Sequence, residues 1–271
     1  MPDFIYCLNS STIRPTPILE KIRIAGETGY KAIELWHDDI DVHVQKGGTL
    51  AELRWALADH GLAVPTTIYL KGWFETTGSE HVRELEECKR RMQQAAELGA
   101  IHVIAGPPGG RADHNQGARN YHELLEIGRK IGVKPAMEYL GFVEDINSIE
   151  VGAEIVTKSG HSDATIVHDP FHIFRGGGSF ESLTKLPAEQ IAICHFNDTP
   201  ASPPRVEQHD KDRVMPGRGH LDLRRMLSLL KKIGYNRWLS LELFREDLWA
   251  QDPRKVAKEG LAAMRAVAES V

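Results

Sequence analysis

The chain has 271 residues, 41% of them hydrophobic and 26% charged, and its 33 Lys and Arg against 38 Asp and Glu give a formal net charge of −5. This composition is ordinary for a globular protein with a large core, and the length suits a single domain over residues 1–271. The negative charge gives no electrostatic reason to expect nucleic acid or an anionic membrane as a partner.

A unit made of an amphipathic helix, a glycine and a short apolar strand recurs along the chain. The glycine stands directly after the helical pattern, at the left-handed C-cap position that ends many helices. It occurs at positions 29, 61, 99, 132, 160 and 234. Repeats of one helix and one strand at this length are typical of parallel β/α units.

The predicted elements, in chain order, are eight strands that alternate with eight helices. The strands cover residues 4–8, 32–36, 62–68, 101–105, 134–138, 165–168, 191–196 and 238–243. The helices cover residues 15–28, 49–60, 79–98, 115–131, 145–159, 180–186, 222–233 and 252–268. Eight such units predict an α/β fold, a single (β/α)8 TIM barrel. The alternative is an open doubly wound sheet, which needs a glycine-rich phosphate loop, and prolines interrupt the candidate at residues 106–110.

The cysteines limit the covalent chemistry of the chain. Cys7, Cys88 and Cys194 are too few for a disulfide framework and show no C-x-x-C spacing. The first residues do not read as a basic segment followed by an apolar one, and no apolar run approaches the ~18 residues of a membrane span. We therefore expect a cytoplasmic protein with reduced thiols.

Four of the predicted strands end in an acidic or imidazole side chain. These residues are Glu138, Asp169, His195 and Glu242, one on each of strands five to eight. The carboxyl ends of barrel strands meet at one mouth, and neighbouring strands lie ~4.8 Å apart, so the four side chains can share one ion. A cap on the following helix would explain one such acid, but four charged groups at buried strand ends favour a metal site. The donor set suits one divalent cation: Mn²⁺, Mg²⁺, Co²⁺ or Zn²⁺.

Other polar residues lie near these positions. His172, three residues after Asp169, can reach a substrate oxygen or bond to backbone. Asn197 and Asp198 directly follow the histidine of strand seven, and they either orient its ring or begin a turn. Glu34, which closes the second strand, is a candidate partner for a substrate hydroxyl, with a salt bridge at the barrel rim as the alternative.

Several short segments carry a resemblance to a known family. They are residues 7–9 (CLN), 33–34 (IE), 137–141 (MEYLG), 168–172 (HDPFH), 195–199 (HFNDT), 212–219 (DRVMPGRG) and 240–244 (SLELF). In this order and at these spacings, the chain resembles the xylose isomerase-like barrels, the sugar phosphate isomerase/epimerase superfamily. Within it, the chain most resembles the inosose isomerases (2-keto-myo-inositol isomerases). The resemblance runs nearly from end to end.

The resemblance implies roles for the residues that match. The four strand-end residues would hold one divalent ion, and two of them, Glu138 and Glu242, would also form the acid/base pair across the substrate. His172 and Arg213 would contact substrate oxygens, and residues 212–219 would close over the ligand. Without the family, Arg213 fits a surface arginine equally well. The substrate would be a sugar or cyclitol, and homodimers or homotetramers are frequent in the family.

A divalent ion next to two carboxylates suits proton transfer at carbon. A hydrogen next to a carbonyl becomes removable by a carboxylate base when a cation stabilises the enediolate that forms. We therefore expect a metal-dependent isomerase or epimerase that acts on a polyhydroxylated ketone, either an inosose or a ketose.

Three other functions compete with this interpretation. A lyase of the 3-dehydroshikimate or inosose dehydratase type needs the same ligands and the same first proton abstraction, so the sequence barely separates it from an isomerase. A zinc AP endonuclease needs further metal-binding histidines, and the acidic net charge disfavours DNA. An inactive sugar-binding protein would be expected to have lost at least one ligand, and all four are present.

Overall fold

The computed structural model describes residues 4–271, in which eight parallel strands close into a barrel. In chain order the strands are β1 (Ile5–Asn9), β2 (Ala32–Trp36), β3 (Thr66–Leu70), β4 (His102–Ala105), β5 (Lys134–Met137), β6 (Thr165–His168), β7 (Ile191–His195) and β8 (Trp238–Leu241). Each strand pairs with its neighbour in the sequence, and β8 pairs with β1 to close the ring. The predicted (β/α)8 barrel is confirmed.

Ten α-helices lie in the described residues 4–271. They are α1 (Ile18–Thr28), α2 (His37–Gln45), α3 (Leu50–Asp59), α4 (Gly78–Glu97), α5 (His114–Ile131), α6 (Ile149–Ser159), α7 (Pro170–Arg175), α8 (Leu223–Lys232), α9 (Glu246–Trp249) and α10 (Pro253–Ala268). The glycine C-caps were predicted correctly at the ends of α1 and α5, where Gly29 and Gly132 have φ values of 99° and 98°. Over the same residues, no helix is both long enough and apolar enough to cross a membrane.

Apolar side chains form one large core and one small cluster. The large core joins the strands to the surrounding helices and includes Ile33, Val103 and Leu239. The small cluster joins strands β3 to β7 through Ile68, Ile104, Ala136, Val167, Ala192 and Ile193. The strands β1, β2 and β8 also bury the polar side chains of Asn9, Glu34 and Ser240, which are hydrogen-bonded to one another.

Two predicted elements differ from the structure. The third strand was expected at residues 62–68 but spans Thr66–Leu70, because Pro65 has no N–H for a strand ladder and only an isolated bridge joins Ala63 to Ala32. The sixth predicted helix is a short 3₁₀ helix, Phe180–Lys185. The sequence interpretation also missed α2, which follows β2 without a connecting turn and has acidic residues in its first turn.

We expect Gly128→Ala to destabilise the barrel, because α5 packs closely against the chain that leads into β5. A Cβ at Gly128 would lie 2.6 Å from the backbone oxygen of Val133 and 2.6 Å from Cδ of Pro135. Overpacking of this kind costs about 1–3 kcal/mol, which exceeds the ~1 kcal/mol gained from the higher helix propensity of Ala. The free energy of unfolding in urea measures the loss.

Gly109→Ala is the control, since a Cβ there meets nothing within 4 Å. Equal unfolding free energies for the two variants would contradict the close packing of α5.

Candidate active site

The structure brings the four predicted metal ligands together at the carboxyl ends of neighbouring strands. His195 is the last residue of β7, and Glu138, Asp169 and Glu242 each directly follow the last residue of their strands. Three carboxylate oxygens surround Nδ1 of His195. They belong to Glu242 at 3.0 Å, Asp169 at 3.5 Å and Glu138 at 3.8 Å.

This group has the properties of a divalent metal site. One ligand atom from each of Asp169, His195 and Glu242 lies within 4.8 Å of the others. Nδ1 of His195 is buried, and within residues 4–271 it makes no well-directed hydrogen bond, although Oε2 of Glu242 lies 3.0 Å away and buried polar atoms are nearly always paired. A nitrogen lone pair facing several carboxylate oxygens fits Zn²⁺ or Mn²⁺. Glu138 stands slightly apart and is the most accessible member, with 13% of its side chain exposed.

Glu34 lies against the opposite nitrogen of His195. Nε2 of the ring is 3.4 Å from both Glu34 oxygens, so an Nε2–H can donate to the carboxylate while Nδ1 stays free for a cation. Glu34 also accepts hydrogen bonds from the hydroxyls of Thr66 and Ser240 and from Nδ2 of Asn9. This fully buried position does not favour the predicted contact with a substrate hydroxyl, because protein donors already satisfy the carboxylate.

Asp169 combines the two roles that were weighed as alternatives for a strand-end acid. Its Oδ1 caps α7 by accepting from the backbone N–H groups of Phe171 and His172, while Oδ2 faces His195. Asn197 donates to both Asp169 oxygens, at 3.1 and 3.2 Å. Asn197 therefore orients Asp169, whereas the sequence suggested the His195 ring.

Arg213 lies inside the site, where only 1% of its side chain is exposed. Its Nη1 donates to Asp169 Oδ2 at 2.8 Å and to Glu242 Oε2 at 2.6 Å. The guanidinium also lies over the rings of Phe171 and Phe244, at 4.7 and 5.3 Å from their centres. Charged hydrogen bonds and cation–π contacts together compensate for the burial of the charge.

His172 presents a second donor next to Arg213. Its Nδ1 accepts from the N–H of Gly141 at 3.2 Å, so a neutral ring carries its proton on Nε2. Burial lowers the pKa of His172 to about 4, which keeps the ring neutral near pH 7. Nε2 lies 3.0 Å from Nη2 of Arg213, so two donors face each other, and an oxygen accepting from both would relieve the contact.

The carboxylates differ in their electrostatic surroundings. Burial raises the pKa of Glu138 to about 8, and the charges of Glu242 and Asp169 add to the rise while His195 opposes it. Burial would likewise raise the pKa of Asp169, but the positive charge of Arg213 holds it well below its usual range. In the protein without a cation, Glu138 therefore takes a proton more readily than Asp169.

A cavity of about 400 Å³ opens over these residues. Glu138, Glu242, His172 and Arg213 line it, together with the side chains of Arg14, Trp36, Ile68, Tyr69, Lys71, Pro107, Leu140, Phe142, Asp210 and Phe244. Trp36 and Tyr69 line this mouth, whereas the neighbouring aromatics Trp73 and Phe74 are buried in the core. Phe142 and Phe244 were not predicted to line it, although both lie within the resembling segments or directly next to them.

The loop of residues 212–219 is held in place by Asp198. Its carboxylate accepts from the backbone N–H groups of Gly217, Gly219 and Leu221 at 3.0–3.1 Å. Residues 216–219 line a separate surface groove of about 750 Å³ instead of the cavity above the metal ligands. Of the predicted ligand-closing loop, only Arg213 reaches that cavity.

Comparisons with known proteins agree with this fold. The family model described as "Xylose isomerase-like TIM barrel" matches residues 22–267. An inosose isomerase of Bacillus velezensis is 30% identical over 270 residues, which covers 95% of this chain and 96% of that protein. A 3-dehydroshikimate dehydratase of Pseudomonas aeruginosa is 25% identical over 90% of this chain but only 39% of its own length. A crystal structure of the IOLI protein with a bound zinc atom has a TM-score of 0.91, with 26% identity and 98% of each chain covered.

We expect Zn²⁺ to raise the melting temperature of the metal-free protein and Asp169→Asn to remove most of this rise. A ligand at about 100 times its Kd stabilises the folded state by ~2.7 kcal/mol, and Asp169 supplies one of the charged oxygens that bind the ion. Thermal unfolding with and without Zn²⁺ measures the shift.

Asp163→Asn is the matched control, because Asp163 pairs with Arg129 and Lys134 outside the site. A Zn²⁺-induced shift that is unchanged in Asp169→Asn would place the ion elsewhere.

Proposed function

The chain belongs to the xylose isomerase-like TIM barrel family, and from this premise we propose that it is a divalent-metal-dependent isomerase or epimerase of an inosose or a related polyhydroxylated ketone. The observation that carries the proposal is the pairing of two cavity-lining carboxylates, Glu138 and Glu242, around one metal site. The inosose isomerases to which the chain is similar support a cyclitol substrate.

Binding of the substrate depends on the cavity walls. When bound, the divalent cation would polarise a carbonyl and lower the barrier to removing the neighbouring proton. His172 and Arg213 both line the cavity and lie 3.0 Å apart, so a substrate oxygen placed next to them could accept from either residue. The rings of Trp36, Tyr69 and Phe244 offer apolar faces on which the carbon skeleton of a cyclitol packs.

The two glutamates move the proton. Glu138 is the more exposed carboxylate, and no protein donor within residues 4–271 hydrogen-bonds to its side chain, so its oxygens are free to accept a proton from carbon. Glu242 directly follows β8, whereas Glu138 directly follows β5, so the two carboxylates would reach the substrate from different sides. The enediolate that forms is reprotonated at the neighbouring carbon or on the opposite face. The way the substrate is posed decides between ketone migration and epimerisation.

The remaining expectations are proposals of the same kind. We propose an unphosphorylated substrate, since the sequence contains no recognisable phosphate loop. Manganese is an alternative to zinc as the native ion, because three carboxylates and one histidine accept either. A cytoplasmic location and a dimeric or tetrameric assembly stay predictions.

Glu138→Gln and Glu242→Gln should each reduce exchange of the substrate α-proton with solvent by about 10²–10⁴-fold, because an amide cannot accept the proton. Loss of the signal of the α-hydrogen of an inosose in D₂O, followed by NMR with added Mn²⁺, measures the exchange. Glu144→Gln is the control, as this glutamate on the same loop forms an ion pair with Arg111 at the surface. Wild-type exchange in both active-site variants would reject the assignment.

The second candidate function is a dehydratase, and the observation that supports it is the similarity to 3-dehydroshikimate dehydratases. It would remove the same α-proton and then expel a β-hydroxyl. We expect incubation with an inosose to give an isomeric ketone without the near-ultraviolet absorbance of a conjugated enone. An enone that accumulates at the rate of substrate loss would identify a lyase.

A further inference from the structure

Asn9, the last residue of β1, is fully buried below the cavity and uses all its hydrogen-bonding positions. Its Nδ2 donates to Oε1 of Glu242 at 2.9 Å and to Oε2 of Glu34 at 3.1 Å. Its Oδ1 accepts from the indole N–H of Trp36 at 3.0 Å and from the backbone N–H of Ser11 at 3.0 Å. A side-chain amide has two donors and two acceptor positions, and all four are occupied here.

The surroundings allow only one orientation of this amide. The two N–H groups on its oxygen side can only donate, and the two carboxylates on its nitrogen side accept when ionised. A rotated amide would place its oxygen against both carboxylates and its amino group against two donors. The nitrogen of Asn9 is therefore fixed between Glu34 and Glu242.

The two carboxylates that share this amino group both act on the metal site. With Oε1 of Glu242 held by Asn9, Oε2 faces Nδ1 of His195 at 3.0 Å. Glu34 lies against Nε2 of the same ring at 3.4 Å. The neutral amide of Asn9 thus orients the candidate ligand Glu242 and also Glu34, which in turn orients His195. It also offsets the repulsion between these two buried carboxylates.

We propose that Asn9 is a positioning residue for the metal centre, fixing Glu242 so that Oε2 is its ligand atom and holding Glu34 against His195. Asn9 is not among the described residues that line the cavity, so it would act through its neighbours. A second consequence rests on the proposed function: with Oε1 of Glu242 engaged, Glu138 is the carboxylate freer to accept the α-proton. Loss of Asn9 then lowers kcat and leaves KM nearly unchanged.

Asn9→Ser separates this role from a purely structural one. Serine can still accept from the N–H of Ser11 and cap the 3₁₀ helix Ser10–Ile13, but it is too short to reach both carboxylates. Asn9→Ala removes the cap as well. Asn120→Ser is the matched control, because Asn120 on α5 donates only to the backbone oxygens of Phe74 and Thr76.

The test is calorimetric titration of Zn²⁺ alone into the metal-free protein of 271 residues, alongside thermal unfolding of each variant. We expect Asn9→Ser to weaken Zn²⁺ binding by about 10- to 100-fold, the usual effect of losing a group that orients metal ligands, and Asn120→Ser to leave it unchanged. Asn9→Ala should weaken Zn²⁺ binding to a similar extent and lower the melting temperature further, through the lost cap.

A Zn²⁺ affinity of Asn9→Ser within about twofold of wild type would overturn the proposal, even if the melting temperature of the variant falls. The reason is that loss of a group that orients a metal ligand typically lowers metal affinity about 10-fold or more. If Asn9→Ala does not fold, the comparison of Asn9→Ser with Asn120→Ser still decides. The titration contains no substrate, so its outcome is independent of whether the protein is an isomerase. A kcat that is unchanged in Asn9→Ser at saturating metal would contradict the second consequence alone, that Glu138 is the carboxylate freer to accept the α-proton. The positioning role of Asn9 is decided by the Zn²⁺ titration.

Discussion

Four carboxylates gather around the imidazole ring of His195, and the rest of the site has to compensate for their negative charge. Glu34, Glu138, Asp169 and Glu242 all approach the ring of His195, and each is buried or nearly so. Removing an unpaired carboxylate from water costs several kcal/mol, so a group of four is stable only with strong compensation. Among the described residues that compensation comes from Arg213 and from hydrogen-bond donors, and a divalent cation would supply the rest.

The barrel makes this arrangement possible because its strands end side by side. Each of the four candidate ligands stands at the carboxyl end of a different strand, from β5 to β8, or directly after it. Two of the residues that hold them, Asn9 on β1 and Glu34 on β2, come from the neighbouring part of the ring. The candidate ligands and these supports therefore share the stability of the closed barrel.

The sequence predicted the strand-end residues well because each stands at the end of a short apolar run, a pattern visible without the fold. It predicted much less about their supports. Glu34 was weighed between a contact with a substrate hydroxyl and a salt bridge at the barrel rim, since the pattern of β2 does not reveal that protein donors from β1, β3 and β8 surround its carboxylate. Arg213 fitted a surface arginine equally well, because stacking between two phenylalanines depends on residues far apart in the chain.

Irregular segments were also harder to predict than periodic ones. The helix α2 follows β2 directly, so no turn residues mark its beginning, and Pro65 moved the third strand towards the active-site end. Asp169 was weighed as either a helix cap or a metal ligand, whereas in the structure one oxygen caps α7 and the other stays directed at His195. Local patterns identify such residues, but only tertiary geometry assigns each atom of a side chain to its partner.

The most direct measurement is the anomalous diffraction of crystals soaked in Mn²⁺. The account predicts one strong peak among Glu138, Asp169, His195 and Glu242, about 2.0–2.4 Å from Nδ1 of His195 and from the carboxylate oxygens, with Nε2 still facing Glu34. A mouth without a peak, or an ion bound by other residues, would contradict it.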